Sequence, residues 1–138
     1  MPTVPFAATG TAPEDTPWAW NAAAQNAILG DTDNPDWDRY KQAHAWWDGD
    51  SDAAAKSHYK LPHHRINNGK LEAVWRGVSN AMARLSQADI PEDEMKATFD
   101  HLASHYAQWQ KDPPKWDRFW AEVQERRARE SQIAAVLP

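Results

Sequence analysis

The feature that most constrains the fold is a regular apolar stripe in the second half of the chain. Five large apolar residues follow one another there at steps of four, three, four and three: Met95, Phe99, Leu102, Tyr106 and Trp109. This spacing places the side chains on one face of an α-helix, whereas a strand would alternate them between two faces. The stripe predicts a helix over 91–110, in which Pro91 opens the first turn.

Four further segments carry apolar residues at helical spacing, and two of them also carry clear start and stop signals. Thr16 and Pro17 form one start signal, and Asn34 with Pro35 forms another. Glycines end both segments. Together with the stripe, the sequence predicts five helices, over 17–29, 35–48, 75–86, 91–110 and 114–130.

A β-hairpin is predicted between the second and third helices. Asn67, Asn68 and Gly69 separate two short runs of β-capable residues, and an Asn-Gly pair in that position is a strong turn signal. Pro62 limits the first run to an edge strand or an extended segment. The hairpin therefore lies near 59–74.

The predicted fold class is mainly α, a small helical domain of about five helices with one short β-hairpin and an extended N-terminal arm. The arm covers 1–16 and is expected to be extended or flexible, because this segment holds three prolines and no periodic apolar pattern. The helical domain covers 17–131, and 132–138 forms a C-terminal tail.

Composition excludes several classes of function. The 138 residues include no cysteine, so disulfides, thiolate metal sites and cysteine nucleophiles are absent from this chain. No nucleophile elbow and no phosphate-binding glycine loop occur. We therefore expect a protein that is not an enzyme and that needs no cofactor.

Charge and hydropathy argue against nucleic acid and membrane partners. Residues 1–60 hold nine acidic and four basic side chains, which accounts for the whole net charge of −5. Domains that neutralise phosphates usually carry a basic stripe instead. No apolar run approaches the roughly 18 residues of a membrane span, and the first residues lack the pattern of a secretory signal, so synthesis in the cytoplasm is expected.

Four of the six histidines have spacings that suit a metal site. His101 and His105 lie four residues apart on the predicted helix, and His63 and His64 precede the hairpin turn. Such a set can hold zinc, but the helical sequence HLASH lacks the glutamate that follows the first histidine in zinc proteases. We expect these rings to pack against the apolar stripe. The alternative that stays open is a small histidine-ligated metal-binding protein, with or without hydrolytic activity.

Tryptophan is over-represented, with nine residues in the chain. A five-helix core of this size needs fewer large rings, so some should reach the surface, where aromatic side chains anchor protein partners. Trp46 and Trp47 are adjacent and cannot both face one core from a helix. The predicted partner-binding residues are Trp18, Trp20, Trp46, Trp47, Trp116 and Trp120.

The middle of the chain resembles a module of tailed bacteriophages that occurs at the C-terminal end of some head-maturation (prohead) proteases and in related virion-associated proteins. The resemblance covers about 59–114 and is carried by an ordered string of short motifs: YKLPHH at 59–64, GKL at 69–71, WRGV at 75–78, AM at 81–82, DIP at 89–91, HLASHY at 101–106 and PP at 113–114. The chain has no room for the protease domain itself.

The resemblance implies a non-enzymatic bacteriophage structural protein, made in the host cytoplasm and located in the virion. Its expected role is capsid-associated, as a decoration, cement or assembly component. The expected partners are phage capsid or other virion proteins, with self-association as a further option. A phage inhibitor of a host enzyme is a second alternative, in which the acidic N-terminal half mimics nucleic acid.

Overall fold

The computed structural model describes residues 3–49 and 52–132 in full and residues 133–136 as helical backbone. The helices are α1 (Ala22–Leu29), α2 (Trp37–Gln42), α3 (Trp75–Leu85), α4 (Glu92–Tyr106) and α5 (Trp116–Val136). The strands are β1 (Gly10–Thr11), β2 (His44–Trp47), β3 (Tyr59–Pro62), β4 (His64–Asn67) and β5 (Lys70–Ala73).

The fold is mixed α/β, so the mainly α prediction with one hairpin is wrong. Helices make up 49% and strands 15% of the structure, and the described strands form two small sheets of three and two strands. One sheet has the order β1-β5-β4, and the other pairs β2 with β3. The hairpin at the Asn-Gly turn is present as β4 and β5, with positive φ at Asn68 (52°) and Gly69 (76°), as a two-residue primed turn requires.

The largest error concerns the helix predicted over 35–48, whose second half is strand β2. Helix α2 ends at Gln42, and β2 pairs antiparallel with β3 in the register Trp46 to Lys60 and Trp47 to Tyr59. Adjacent residues on a strand face opposite sides. Trp46 accordingly packs into the larger core, and Trp47 packs against the smaller core beside α1 and α2.

Helix α1 begins later than the sequence signals indicate. The side chain of Asn21, rather than Thr16, caps it, and its Oδ1 accepts a hydrogen bond of 2.9 Å from the Ala24 amide. Trp18 and Trp20 therefore lie in the segment that leads to the helix, where their rings stack with centroids 5.9 Å apart. Trp18 also lies against α3, because a Cβ on Gly77 would come within 2.8 Å of its ring.

The predicted N-terminal arm is extended, and it is packed against the domain. Gly10 and Thr11 of β1 run parallel to β5, and the amide of Ala12 donates to the carbonyl of Ala73 at 2.9 Å. Val4 and Ala12 are buried. Residues 1 and 2 of the arm and residues 137 and 138 of the predicted tail lie outside the described residues. The earlier residues of the predicted tail, 132–136, continue α5.

The larger core lies between α3, α4 and α5, and the apolar stripe of α4 supplies its centre. Met95 and Leu102 are fully buried, and Phe99 is 3% exposed. Phe119 and Val123 of α5 pack against the same cluster. The predicted burial of this stripe is confirmed for its four residues on α4, whereas Trp109 lies beyond the end of the helix and is partly buried. The same helix carries two histidines toward the sheets.

Candidate metal centre

Three histidines from distant parts of the chain meet inside the protein. His63 lies at the junction between β3 and β4, while His101 and His105 lie one turn apart on α4. The exposed fractions of the three residues are 0%, 3% and 0%. One nitrogen of each ring lies within 4.8 Å of the others, so the three form a group able to hold a metal ion.

The backbone holds His63 in place from both sides. Its amide donates to the carbonyl of Ala43 at 3.0 Å, and its carbonyl accepts from the amide of Val74 at 2.9 Å. Leu61, two residues earlier, has a φ of 64°, which is rare for a residue with a bulky side chain. Unusual backbone conformations of this kind concentrate at functional sites.

Each of the three rings hydrogen-bonds through Nδ1 to an oxygen that can only accept. Nδ1 of His63 lies 3.0 Å from the Leu61 carbonyl oxygen, and Nδ1 of His101 lies 2.6 Å from the Val4 carbonyl oxygen. A carbonyl oxygen has no proton to give, so both Nδ1 atoms carry the proton.

Nδ1 of His105 also carries the proton, and the orientation of the Gln108 side chain decides this. The amide nitrogen Nε2 of Gln108 donates to the carbonyl oxygen of Thr9 at 3.0 Å, which fixes the orientation of the Gln108 amide. Its Oε1 atom therefore faces Nδ1 of His105, at 2.7 Å, and accepts the Nδ1 proton.

These three assignments leave a lone pair on every Nε2 atom. The Nε2 atoms of His63 and His101 are only 3.0 Å apart, and Nε2 of His105 is buried with no hydrogen-bond partner. Two lone pairs at that distance repel each other unless a cation or an additional proton lies between them. With all three Nδ1 hydrogen bonds kept, the arrangement therefore calls for a positive charge at the centre of the three rings.

Burial opposes an additional proton on these rings. It lowers the pKa of His101 to about 4, although the hydrogen bond to Val4 acts in the opposite direction. It also lowers the pKa of His63 well below its usual value of 6.5, and the neighbouring imidazoles of His64, His101 and His105 add to that effect. Burial lowers the pKa of His105 as well, against the hydrogen bond from its ring to Gln108.

His64 lies beside this group without joining it. Its ring centroid is 4.4 Å from that of His63 and 5.2 Å from that of His105. Its Nε2 atom lies 3.1 Å from Oγ1 of Thr9. Of the four histidines that the sequence indicated as candidates, the structure thus brings His63, His101 and His105 into one group. His64 packs against this group.

The N-terminal segment, residues 3–12, covers the outer side of the group. Besides the carbonyl oxygens of Val4 and Thr9, it supplies Phe6, whose ring meets the ring of His105 edge-on at a centroid distance of 4.8 Å. Phe6 is 38% exposed, more than any other large apolar side chain among the described residues. The sequence did not indicate these residues or Gln108, because neither a backbone carbonyl nor a single phenylalanine or glutamine forms a recognisable motif.

The six tryptophans proposed as partner contacts are distributed over several surfaces. Trp46 is 7% exposed and belongs to the larger core, while the other five are partly exposed. Trp116 and Trp120 stack on α5 with ring centroids 5.3 Å apart, and Lys96 approaches the Trp116 ring at 5.5 Å. Binding of a partner at any of these rings stays a prediction.

Comparison with known proteins gives no match to a family model, to a curated protein or to a solved structure. Over the part of the chain that the structure describes, no helix combines the length and the apolar character needed to cross a membrane.

Proposed function

We propose that this chain is a metal-binding protein in which His63, His101 and His105 hold one divalent transition-metal ion through their Nε2 atoms. The observation that carries the proposal is the 3.0 Å contact between two Nε2 atoms whose rings already donate through Nδ1. A metal ion accepts both lone pairs and the unpartnered lone pair of His105.

The donor set suits zinc and its neighbours in the first transition row. Neutral imidazole is a common ligand of Zn²⁺, Cu²⁺ and Ni²⁺. Zinc binds imidazole nitrogen at about 2.0–2.1 Å, which places two ligands of a tetrahedral site about 3.3 Å apart. The His63 and His101 nitrogens need to separate by only a few tenths of an ångström to reach that spacing.

The surroundings of the rings resemble those of known metal ligands. Metal-bound histidines almost always donate their other ring nitrogen to a carbonyl or carboxylate oxygen, which fixes the tautomer and the ring orientation. Here the carbonyl oxygens of Leu61 and Val4 and the side-chain oxygen of Gln108 perform this function.

The role we propose for the ion is structural. It joins the β3–β4 junction to α4, two parts of the chain that are 38 residues apart, and metal binding to a folded site adds directly to the free energy of unfolding. In the described residues the group includes no Asp or Glu, so it offers no carboxylate as a general base. We therefore do not propose hydrolysis.

Zinc stoichiometry and affinity test this function. The purified chain should bind one zinc ion at neutral pH, measured by competition with a chromogenic chelator. A double variant, His101→Ala with His105→Ala, should lose that binding, while His58→Ala should keep it, because His58 lies outside the group and its Nδ1 contacts the Asp52 carbonyl oxygen. Substoichiometric zinc in the wild type, or unchanged affinity in the double variant, contradicts the proposal.

A virion-associated structural role is a second proposal, and it is compatible with a structural ion. The motifs at 59–114 that resemble the phage module support it, as do the stacked and partly exposed pairs Trp18 with Trp20 and Trp116 with Trp120. Cosedimentation tests it, since the chain should be present in purified phage particles or in capsid precursors. Absence from both contradicts this role and leaves the metal proposal untouched.

A further inference from the structure

Two of the three proposed metal ligands lead directly to the N-terminal segment. Nδ1 of His101 donates to the Val4 carbonyl oxygen at 2.6 Å. Nδ1 of His105 donates to Gln108, which in turn donates to the Thr9 carbonyl oxygen at 3.0 Å. The position of residues 3–12 thus depends on which nitrogen of each ring carries the proton.

Without a metal ion, the rings of His63 and His101 cannot both keep their Nδ1 protons and remain 3.0 Å apart at Nε2. One of them must exchange its Nδ1 proton for one on Nε2, which it then donates to the Nε2 lone pair of the other. That ring loses its Nδ1 hydrogen bond, so either the Leu61 carbonyl or the Val4 carbonyl faces a lone pair.

The Leu61 and Val4 carbonyls differ in whether water can replace the lost hydrogen bond to the histidine ring. Leu61 lies two residues from His63 in β3, which is paired with β2, so its carbonyl cannot move far from that ring. Val4 is followed by the exposed residues 5–8, and its carbonyl can find water if the segment moves away. A buried polar group without a partner is destabilising, whereas a bond to water largely offsets the loss.

We infer that metal binding at His63, His101 and His105 fastens the N-terminal segment to the domain, and that loss of the metal moves the proton of His101 to Nε2 and loosens the segment. This inference rests on the metal-binding function proposed above. With the ion bound, all three Nε2 lone pairs are used and every Nδ1 proton stays in its hydrogen bond. A metal-bound imidazole is also a stronger Nδ1 donor, so the bonds toward Val4 and Gln108 strengthen.

Hydrogen exchange measures the loosening directly. The Ala12 amide donates to Ala73 and the Val4 amide to Ala45, so both exchange when the segment opens. Exchange in peptides covering 3–12 should slow about ten-fold when one equivalent of zinc is added to protein stripped with EDTA. The His58→Ala variant should show the same slowing, and the His101→Ala and His105→Ala double variant should show none.

The tautomer of His101 provides a second readout. Nitrogen chemical shifts of ¹⁵N-labelled histidine distinguish a proton on Nδ1 from one on Nε2. We expect His101 to carry it on Nε2 in the metal-free protein and on Nδ1 with zinc. If His63 changes tautomer instead, the Val4 bond is retained and the inference is overturned.

The outcomes separate this inference from the function on which it rests. If zinc does not bind, both fail. If zinc binds at one per chain and the exchange of 3–12 is unchanged, the metal-binding function holds and the coupling to the N-terminal segment is wrong.

Discussion

Replacement of Gln108 by leucine should weaken metal binding although Gln108 is not a proposed ligand. The amide of Gln108 accepts the Nδ1 proton of His105 at 2.7 Å and donates to the Thr9 carbonyl oxygen at 3.0 Å. Leucine has a similar size and makes neither bond. His105 then loses the contact that fixes its tautomer and aims its Nε2 atom at the other two rings.

The magnitude follows from the number and burial of the lost bonds. Removal of a partner that orients a metal-bound histidine typically lowers metal affinity by about 10–100-fold, or roughly 1.4–2.7 kcal/mol. In the metal-free variant, the buried Nδ1–H group of His105 has no acceptor. The free energy of unfolding should therefore be about 1–3 kcal/mol lower than in the metal-free wild type. Both effects should therefore appear, the first in the dissociation constant and the second in urea denaturation without metal.

The assay compares Gln108→Leu with Gln124→Leu, a matched change at an exposed position of α5. Zinc dissociation constants come from chelator competition at neutral pH, and far-ultraviolet circular dichroism confirms that each variant is folded. A folded Gln108→Leu protein whose zinc affinity stays within about two-fold of the wild type would refute the reasoning.

Three further predictions concern stability. Burial lowers the pKa of His44 from 6.5 to about 4. Its contribution to the free energy of unfolding is therefore complete above pH 6.5 and is lost as the pH falls toward 4, by about 3 kcal/mol. His44→Asn should reduce the pH dependence of urea denaturation over that range, and an unchanged slope contradicts the assignment. Leu102→Ala should lower the free energy of unfolding by about 2–5 kcal/mol, since Leu102 is fully buried, and an unchanged urea midpoint would show that the α4 face is misassigned. Gly77→Ala should destabilise the protein, because the new Cβ would lie 2.8 Å from the Trp18 ring, and a gain of about 1 kcal/mol, the value expected from helix propensity alone, would show that this contact is absent.

The parts of the fold that local patterns determine were predictable from the sequence. The stripe on α4 and the Asn-Gly turn of the β4–β5 hairpin both depend on residues close together in the chain. Strand β2 was not predictable in this way, because Trp37, Tyr40, His44 and Trp47 also satisfy helical spacing. Pairing of β2 with β3, more than ten residues later, decides the conformation.

The candidate site was predictable in its residues and not in its chemistry. The sequence shows the helical spacing of His101 and His105 and the adjacent pair His63 and His64. From the sequence alone, simple packing of these rings was the favoured interpretation. The metal-binding proposal depends on which ring nitrogen carries the proton, and for His101 a backbone carbonyl 97 residues away decides this. A carbonyl group is the same in every residue, so no sequence pattern indicates it.

X-ray absorption at the zinc K edge, on protein carrying one equivalent of zinc, tests the central claim most directly. The account predicts three imidazole nitrogen ligands at about 2.0–2.1 Å, and the same spectrum for the His58→Ala variant. A shell of six oxygen atoms, or fewer than three imidazoles, would contradict the assignment of His63, His101 and His105 as the metal ligands.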